Sequence, residues 1–245
     1  MSEIRTIALI TGANKGIGFE IARQLGTLGI TILAGVRDQA RGEATVQKLR
    51  AEGIDATLVP LDVTDQANID AAAAFIDQTY GKLDVLVNNA GISTREGSIP
   101  PSELAFADLH KIFATNVFGV FAVTKAMLPL LRRSEAGRVV NLSSEMGSLG
   151  INSDPASFAA GMPPALAYNA SKTTLNALTV FFAKELRNTP IKVNSVSPGY
   201  VATDLNGHSG FLTPEQGAKA PVAFATLPAD GPTGGFFGEN RVIAW

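Results

Sequence analysis

The chain of 245 residues contains no cysteine and only two histidines. The absence of cysteine excludes disulfides and thiolate metal sites. His110 and His208 are far apart in the sequence and belong to no metal-binding spacing such as HExxH. We therefore expect no metal site.

Charge is also scarce, and no long basic run is present. The 20 basic and 22 acidic residues give a net charge of −2, so neither nucleic acid nor an anionic membrane is an expected partner. No apolar stretch approaches the roughly 18 residues that would span a bilayer. The first segment, MSEIRTIALI, leads directly into a strand-like run, and we expect a cytoplasmic protein.

Short apolar runs alternate with longer amphipathic segments along the whole chain. Six strands are expected in the runs IRTIALI, TILAGV, ATLVPLDV, LDVLVNNAG, RVVNLSS and IKVNSVSPG. Nearly all-apolar strands separated by helices indicate a parallel sheet that is covered on both faces. The pattern predicts an α/β fold: a single domain over 1–245 with a doubly wound, Rossmann-type parallel sheet and helices on both faces.

Five motifs follow directly after predicted strands: TGANKGIG, DVT, NNAG, SSEMG and SPGYVAT. In a doubly wound sheet, ligands bind beyond the carboxyl ends of the strands. The common position of the motifs therefore predicts one shared site.

The first motif, Thr11–Gly18, is a glycine-rich turn between a strand and a helix. Glycine permits a tight turn and close backbone approach to a pyrophosphate, and the helix N-terminus favours the phosphate charge. A glycine-rich turn can also be only a tight connection. The missing GK[ST] sequence disfavours ATP hydrolysis.

Tyr168 and Lys172 lie four residues apart in a helical segment, so their side chains share one face. A nearby ammonium favours the phenolate and lowers a tyrosine pKa, which would make Tyr168 a plausible general acid. Taken alone, the pair favours the simpler interpretation of a solvated helix face.

Together, TGANKGIG, NNAG, the Ser143–Ser144 pair, YNASK and SPGYVAT resemble the short-chain dehydrogenase/reductase family over essentially the whole chain. The strings TGANKGIGFEIARQLG and VRDQARGEATVQKLRAEG resemble its carbonyl reductase branch, which uses NADPH. The resemblance implies an oxidoreductase that binds the cofactor mainly through 1–120 and holds the catalytic and substrate part mainly in 116–245.

The resemblance also implies a catalytic tetrad of Asn116, Ser144, Tyr168 and Lys172. Tyr168 would protonate a carbonyl oxygen that Ser144 polarises. Lys172 would hold the nicotinamide ribose and lower the pKa of Tyr168, and Asn116 would organise a water-linked proton path. Ser143 would be structural.

The predicted cofactor-binding residues come from the loops after the strands. They are Gly12, Asn14, Lys15, Gly16, Ile17, Gly18, Arg37, Asp62, Val63, Asn89, Ala90, Gly91, Tyr168, Lys172, Pro198, Gly199, Val201 and Thr203. Some of these residues have simpler interpretations: Asp62 and Thr203 could cap helices, NNAG could be only a turn, and Asn116 of the tetrad could bond to a neighbouring backbone within its helix.

Cofactor preference depends on the end of the second strand. Arg37, with Lys15 nearby, would accommodate a 2′-phosphate and so favour NADPH. Asp38 stands one place further, and a carboxylate at that point would instead bind the ribose of NAD.

Two segments depart from the family pattern. GSLGINSDPASFAAGMPPALA, between Ser144 and Tyr168, is longer than in most members and is expected to pack beside the site entrance, although it could also be a surface loop without a role. NGHSGFLTPEQGA is a short lid, which predicts an open pocket for many ketones and aldehydes. The expected lining is Ser93, Glu145, Met146, Leu149, Tyr200 and Leu205; the alternative for Glu145 is that it merely faces solvent.

The function expected is therefore an NADPH-dependent carbonyl reductase that acts on a small carbonyl or alcohol, as a homodimer or homotetramer or as a monomer. The alternatives are an NAD-dependent dehydrogenase of an alcohol, polyol or acyl chain, and a dinucleotide-binding regulator without activity.

Overall fold

Eight strands form one sheet in the computed structural model, which describes residues 5–93 and 99–245. The strands are β1 Ile7–Thr11, β2 Thr31–Val36, β3 Ala56–Pro60, β4 Val85–Asn88, β5 Arg138–Leu142, β6 Lys192–Val196, β7 Phe236–Gly238 and β8 Arg241–Val242. Their order is β3-β2-β1-β4-β5-β6-β7-β8, and only the β7–β8 pair is antiparallel. The predicted doubly wound parallel sheet is confirmed.

Helices cover both faces of this sheet. They are α1 Gly16–Thr27, α2 Gln39–Ala51, α3 Gln66–Tyr80, α4 Phe106–Phe113, α5 Val120–Leu131, α6 Leu149–Ser153, α7 Leu166–Glu185 and α8 Pro214–Ala225. A π-helical segment, Ala114–Gly119, joins α4 to α5. Such segments are rare and often occur at functional sites.

Neighbouring residues of each strand enter different cores. In β1, Ile10 shares one core with Leu25 of α1, whereas Leu9 shares the other with Ile76 of α3 and Met127 of α5. All five side chains are fully buried. Burying an aliphatic side chain of this size contributes about 1.5–3 kcal/mol, so both cores stabilise β1 in the interior of the sheet.

The strand order reverses beside β1, which has β2 on one side and β4 on the other. At this point the helical connections from the two halves of the sheet run in opposite directions, and a crevice forms between them. The crevice lies at the carboxyl ends of β1 and β4. Every motif identified above follows one of the strands β1 and β3–β6, so all of them reach this edge.

Two features differ from the sequence expectations. The β7–β8 hairpin was not predicted, because its strands are only three and two residues long. The helical run Phe106–Leu131 is long and apolar enough to cross a membrane by length and composition, so the expectation that no stretch approaches such a length was wrong. Half of that run's most apolar window is buried, in packing against α3 and α7.

Candidate active site

The glycine-rich loop crosses the carboxyl end of β1 and leads into α1. Gly12 has a φ of +67°, a conformation that L side chains rarely adopt. A Cβ at Gly18 would lie 2.4 Å from both the Asn89 Nδ2 and the Gly12 carbonyl oxygen. Lys15 precedes α1 and supplies no side-chain cap, so the first N–H groups of this 12-residue helix keep the capacity to bind an anion. The loop therefore fits the pyrophosphate of a dinucleotide.

Asn89 holds the glycine loop against the end of β4. Its Nδ2 donates to the Thr11 carbonyl at 2.8 Å and to the Gly12 carbonyl at 3.1 Å. The Thr11 hydroxyl accepts the backbone N–H groups of Asn89 and Ala90 at 3.0 and 2.9 Å. NNAG is thus more than a turn, because its hydrogen bonds connect the ends of β1 and β4.

At the end of β2, Asp38 and Arg37 have different environments. The Asp38 carboxylate accepts the Arg41 backbone N–H at 2.8 Å and thereby caps α2. Arg37 is exposed, and its positive charge acts on Asp62. Capping occupies the carboxylate that could have bound a ribose, whereas the guanidinium stays available to a phosphate.

Asp62 and Val63 follow β3 at the same edge. The Asp62 Oδ1 accepts both the backbone N–H and the hydroxyl of Thr64, at 2.9 and 2.7 Å. Burial raises the pKa of Asp62, but these bonds and the charge of Arg37 outweigh it and lower the pKa overall. The cap of α3 is Asp65, so the reading of Asp62 as a helix cap was wrong. Val63 is buried.

Tyr168 and Lys172 occupy the first two turns of α7, where Tyr168 is half-buried and Lys172 is buried. Lys172 is 6% exposed, and its Nζ donates to the Leu142 carbonyl at 2.7 Å and lies 5.7 Å from the centre of the Tyr168 ring. Burial lowers the pKa of Lys172 to about 8. The pair is therefore not a solvated helix face.

The pKa of Tyr168 shifts opposite to the sequence expectation. Burial raises it above the ordinary value, and a hydrogen bond with the Ser144 side chain opposes that rise. The Lys172 ammonium, which lies 5.7 Å from the centre of the Tyr168 ring, does not reverse this rise. Tyr168 consequently keeps its proton at neutral pH.

Ser144 and Ser143 follow β5 and point to different partners. The Ser143 hydroxyl is buried and donates to the Asn176 Oδ1 at 2.7 Å, inside the fold. The Ser144 Oγ accepts the Met146 backbone N–H at 3.2 Å and faces Tyr168. Of the two serines, Ser144 alone lies beside the tyrosine.

Asn116 lies in the π-helical segment and is 1% exposed. Its amide exchanges two hydrogen bonds of 2.9 Å with the backbone of Ile92 and donates a third, of 3.0 Å, to the Ser171 hydroxyl. Ser171 in turn donates to the Tyr168 carbonyl at 2.7 Å. Asn116 thus links the NNAG segment to the helix that carries the tyrosine, and its side chain is not bound to its own helix.

Gly91 lies at the centre of these residues. A Cβ there would be 3.5 Å from the Asn116 Oδ1 and 3.7 Å from the Lys172 Nζ. The absence of a side chain leaves the space over Lys172 open, and a flat ligand could enter it.

The loop after β6 closes the crevice from the other side. Gly199 has a φ of +80°, and the adjoining Pro198 is half-buried. Val201 is buried and bridges to Leu212. Thr203 starts a short 3₁₀ turn, as its simpler reading suggested, and its methyl group lies against Gly16 across the crevice.

An ion pair also joins the two loops. The Lys15 Nζ lies 2.5 Å from the Asp204 Oδ2, and His208 contacts the other oxygen of that carboxylate at 2.8 Å. The Lys15 ammonium therefore has a carboxylate partner in this arrangement, which the sequence did not predict. Asn14 and Ile17, the remaining predicted residues of the glycine loop, are half-buried within it.

The six predicted substrate residues differ in their exposure to solvent. Leu149, Tyr200 and Leu205 are exposed, and Ser93 and Met146 are half-buried. Glu145 differs from expectation: it does not face solvent freely but pairs with Arg241 at 2.5 Å. Its partner lies 96 residues away, so no spacing in the sequence indicated it.

The long segment before α7 forms the helix α6 and is tied to the site. The Asn152 side chain donates to the Met146 carbonyl at 2.9 Å, and the Asn169 side chain donates to Asn152 at 3.4 Å. Asn169 adjoins Tyr168, so the segment lies beside the tyrosine rather than forming an unconnected surface loop.

Sequence reasoning missed three contributors. Thr11 joins the two strands, Ser171 connects Asn116 to α7, and Phe211 packs edge-to-face on Tyr200 with ring centres 5.9 Å apart. Ser171 could have been found, since it stands within YNASK one turn after the tyrosine. Thr11 could also have been found, since it begins the TGANKGIG motif, whereas nothing local indicated Phe211.

Known proteins resemble this chain over its full length. The family model described as short chain dehydrogenase matches residues 6–210. Carbonyl reductase (NADPH) 1 of Bos taurus is 36% identical, with both chains fully covered, and (-)-isopiperitenone reductase of Mentha piperita is 34% identical, covering 100% of this chain and 99% of the relative. The structure of NADPH-bound carbonyl reductase from chicken fatty liver superposes with a TM-score of 0.86 at 28% identity, covering 99% of this chain and all of that one.

The glycine loop, the NNAG segment that is hydrogen-bonded to it, and the Tyr168–Lys172 pair occur together on a doubly wound sheet, and relatives match this chain over its full length. The chain therefore belongs to the short-chain dehydrogenase/reductase family of oxidoreductases, in its carbonyl reductase-like branch.

Proposed function

We propose that this protein is an NADPH-dependent carbonyl reductase, which transfers hydride reversibly between NADPH and a ketone or aldehyde. One observation carries the proposal: Ser144, Tyr168 and Lys172 lie together, and Lys172 meets Asn116 beside Gly91, at the edge where the glycine loop lies. The site therefore combines side chains of the expected cofactor-binding part, 1–120, with side chains of the expected catalytic part, 116–245.

Tyr168 acts as the general acid. Because burial raises its pKa, the phenol is protonated at neutral pH and can give its proton to a carbonyl oxygen. Ser144 faces the same phenol, and its hydroxyl stabilises the negative charge that develops on that oxygen. When bound, NADPH supplies the hydride.

Lys172 and Asn116 support the tyrosine. With a pKa of about 8, most Lys172 side chains are charged at pH 7, and the ammonium lies where the open space beside Gly91 would admit a nicotinamide ribose. Asn116 holds the adjacent backbone through Ile92 and contributes to a water-linked proton path toward Lys172.

The preference for NADPH rests on charge at the end of β2. Arg37 is exposed there, and the competing carboxylate of Asp38 is engaged as a helix cap. A guanidinium binds a phosphate through two parallel hydrogen bonds, which the unphosphorylated ribose of NADH cannot match. The similarity to carbonyl reductases whose descriptions name NADPH supports the same choice.

The substrate we propose is a small, uncharged carbonyl compound. Leu149, Leu205 and the Tyr200–Phe211 pair expose apolar surface at the entrance. Among the described residues, Lys15 and Arg241 are two cations near this edge, and each is paired with a carboxylate. An apolar ketone would therefore be accepted more readily than a charged sugar acid.

The test is the loss of NADPH absorbance with a panel of ketones and aldehydes, repeated with NADH. We expect turnover of several apolar carbonyls and a kcat/KM for NADPH at least about tenfold above that for NADH. A preference for NADH would favour the NAD-dependent dehydrogenase instead. Cofactor binding without turnover of any carbonyl or alcohol would favour a regulator.

A further inference from the structure

The β7–β8 hairpin contacts the turn that carries Ser144. The Arg241 Nη2 of β8 lies 2.5 Å from the Oε1 of Glu145, the residue directly after Ser144. The Glu145 side chain is only 15% exposed, whereas that of Arg241 is 59% exposed. A carboxylate so far removed from water requires a partner, and Arg241 provides it.

The opposite side of the same turn rests on α7. Glu145–Gly147 is a single 3₁₀ turn, whose Gly147 N–H donates to the Ser144 carbonyl at 2.8 Å. A Cβ at Gly147 would lie 2.6 Å from that of Lys172, and the Thr173 hydroxyl donates to the Gly147 carbonyl at 2.9 Å. The turn is therefore held between the hairpin and the helix that carries the tyrosine and the lysine.

A second contact from the same end of the chain lies next to the first. The Trp245 carbonyl accepts the Gly150 N–H at 2.8 Å, at the start of α6, and the Trp245 ring stacks on Phe236 of β7 with centres 5.8 Å apart. Residues 236–245 thus reach the long segment after Ser144 at two points, once by charge and once by backbone. Neither point lies in the tetrad or in a predicted cofactor-binding motif.

We propose that Arg241 is a positioning residue for the reaction. Its ion pair with Glu145 holds the Ser144 hydroxyl in place beside the Tyr168 phenol. The proposal rests on the function proposed above. The pair fixes Glu145, Glu145 begins the 3₁₀ turn, and the turn sets the direction of the Ser144 hydroxyl through the Met146 N–H. A hydroxyl that must polarise a carbonyl tolerates little displacement, since a shift of about 1 Å can cost a large factor in rate.

The experiment is a double-mutant cycle of Arg241→Gln, Glu145→Gln and the combined variant, with Arg241→Lys as the conservative change. We expect kcat for carbonyl reduction to fall about tenfold in all three glutamine variants. Either single change already breaks the ion pair, so the second change in the combined variant should lower kcat no further. Arg241→Lys should recover most of the rate. The dissociation constant for NADPH should change less than about twofold, because no contact of the pair involves the glycine loop.

A matched control is Arg133→Gln. Arg133 pairs with Asp77 at the same 2.5 Å distance, between the residues after α5 and the end of α3. This change removes an arginine–carboxylate pair of the same length, whose carboxylate is 54% exposed, away from Ser144 and should leave kcat unchanged. Thermal melts of all variants check that each one folds.

A second readout does not depend on turnover. Hydrogen–deuterium exchange should quicken in the peptide that contains the Met146 and Gly147 amides for Arg241→Gln, but not for Arg133→Gln. If the wild type reduces no carbonyl, the proposed function fails while this comparison still tests the positioning role.

Three results would overturn the inference. The first is an unchanged kcat in Arg241→Gln, and the second is unchanged exchange at Met146 and Gly147. The third is a wild-type kcat in the combined variant, because that result would mean that Arg241 only neutralises the charge of Glu145.

Discussion

The buried ammonium of Lys172 should make the fold less stable at neutral pH than at alkaline pH. Its pKa is lowered from 10.5 to about 8 by burial. Between these values the unfolded chain binds more protons than the folded chain, so the free energy of unfolding rises with pH. Below about pH 8 both states hold the proton, and the full cost of the buried charge remains.

The size of this effect follows from the shift itself. Between about pH 7 and about pH 9.5, the linkage relation gives a gain of about 2 kcal/mol from Lys172 alone. Lys172→Met replaces the ammonium by an apolar side chain of similar length and removes the titration. The raised pKa of Tyr168 acts in the opposite sense only above pH 10, outside this range.

Urea unfolding of the wild type and of Lys172→Met at both pH values measures the effect. We expect the wild type to gain about 2 kcal/mol relative to the variant as the pH rises. All other titrating groups are common to the two proteins and cancel in this comparison. Equal pH dependence of the two proteins would refute the claim that Lys172 is a buried charge.

Two further predictions concern the cofactor crevice. Gly18→Ala should weaken dinucleotide binding at least about tenfold, because the added Cβ would lie 2.4 Å from the Asn89 Nδ2 and the Gly12 carbonyl oxygen. The control is Gly161→Ala, because nothing lies within 4 Å of a Cβ at that position. Equal affinities of the two variants in fluorescence titrations with NADPH would contradict the prediction. Arg37→Gln should weaken NADPH binding about tenfold or more while leaving NADH binding unchanged; an equal loss for both cofactors in calorimetric titrations would show that Arg37 does not contact the 2′-phosphate.

The sheet was predictable because its strands are apolar and its motifs follow them. TILAGV is the clearest case, since the observed β2 has the same bounds as the predicted run. The β7–β8 hairpin could not be predicted, because strands of two or three residues carry no periodicity.

The site was predictable where the chemistry is local in sequence. The i, i+4 spacing brought Tyr168 and Lys172 onto one face, but it did not reveal that burial would govern both pKa values. Asp38 remained ambiguous until its cap on α2 was visible. The pairing of Glu145 with Arg241 depends on where two distant chain segments fold together, so no local pattern contains it.

The most direct test of the account is the turnover of Tyr168→Phe with NADPH and the best carbonyl of the panel. Removal of one hydroxyl deletes the proton donor while keeping the ring that packs beside Lys172. We expect kcat to fall by at least about a hundredfold, the usual contribution of a positioned acid, with NADPH affinity nearly unchanged. Turnover equal to that of the wild type would contradict the assignment of Tyr168 as the general acid.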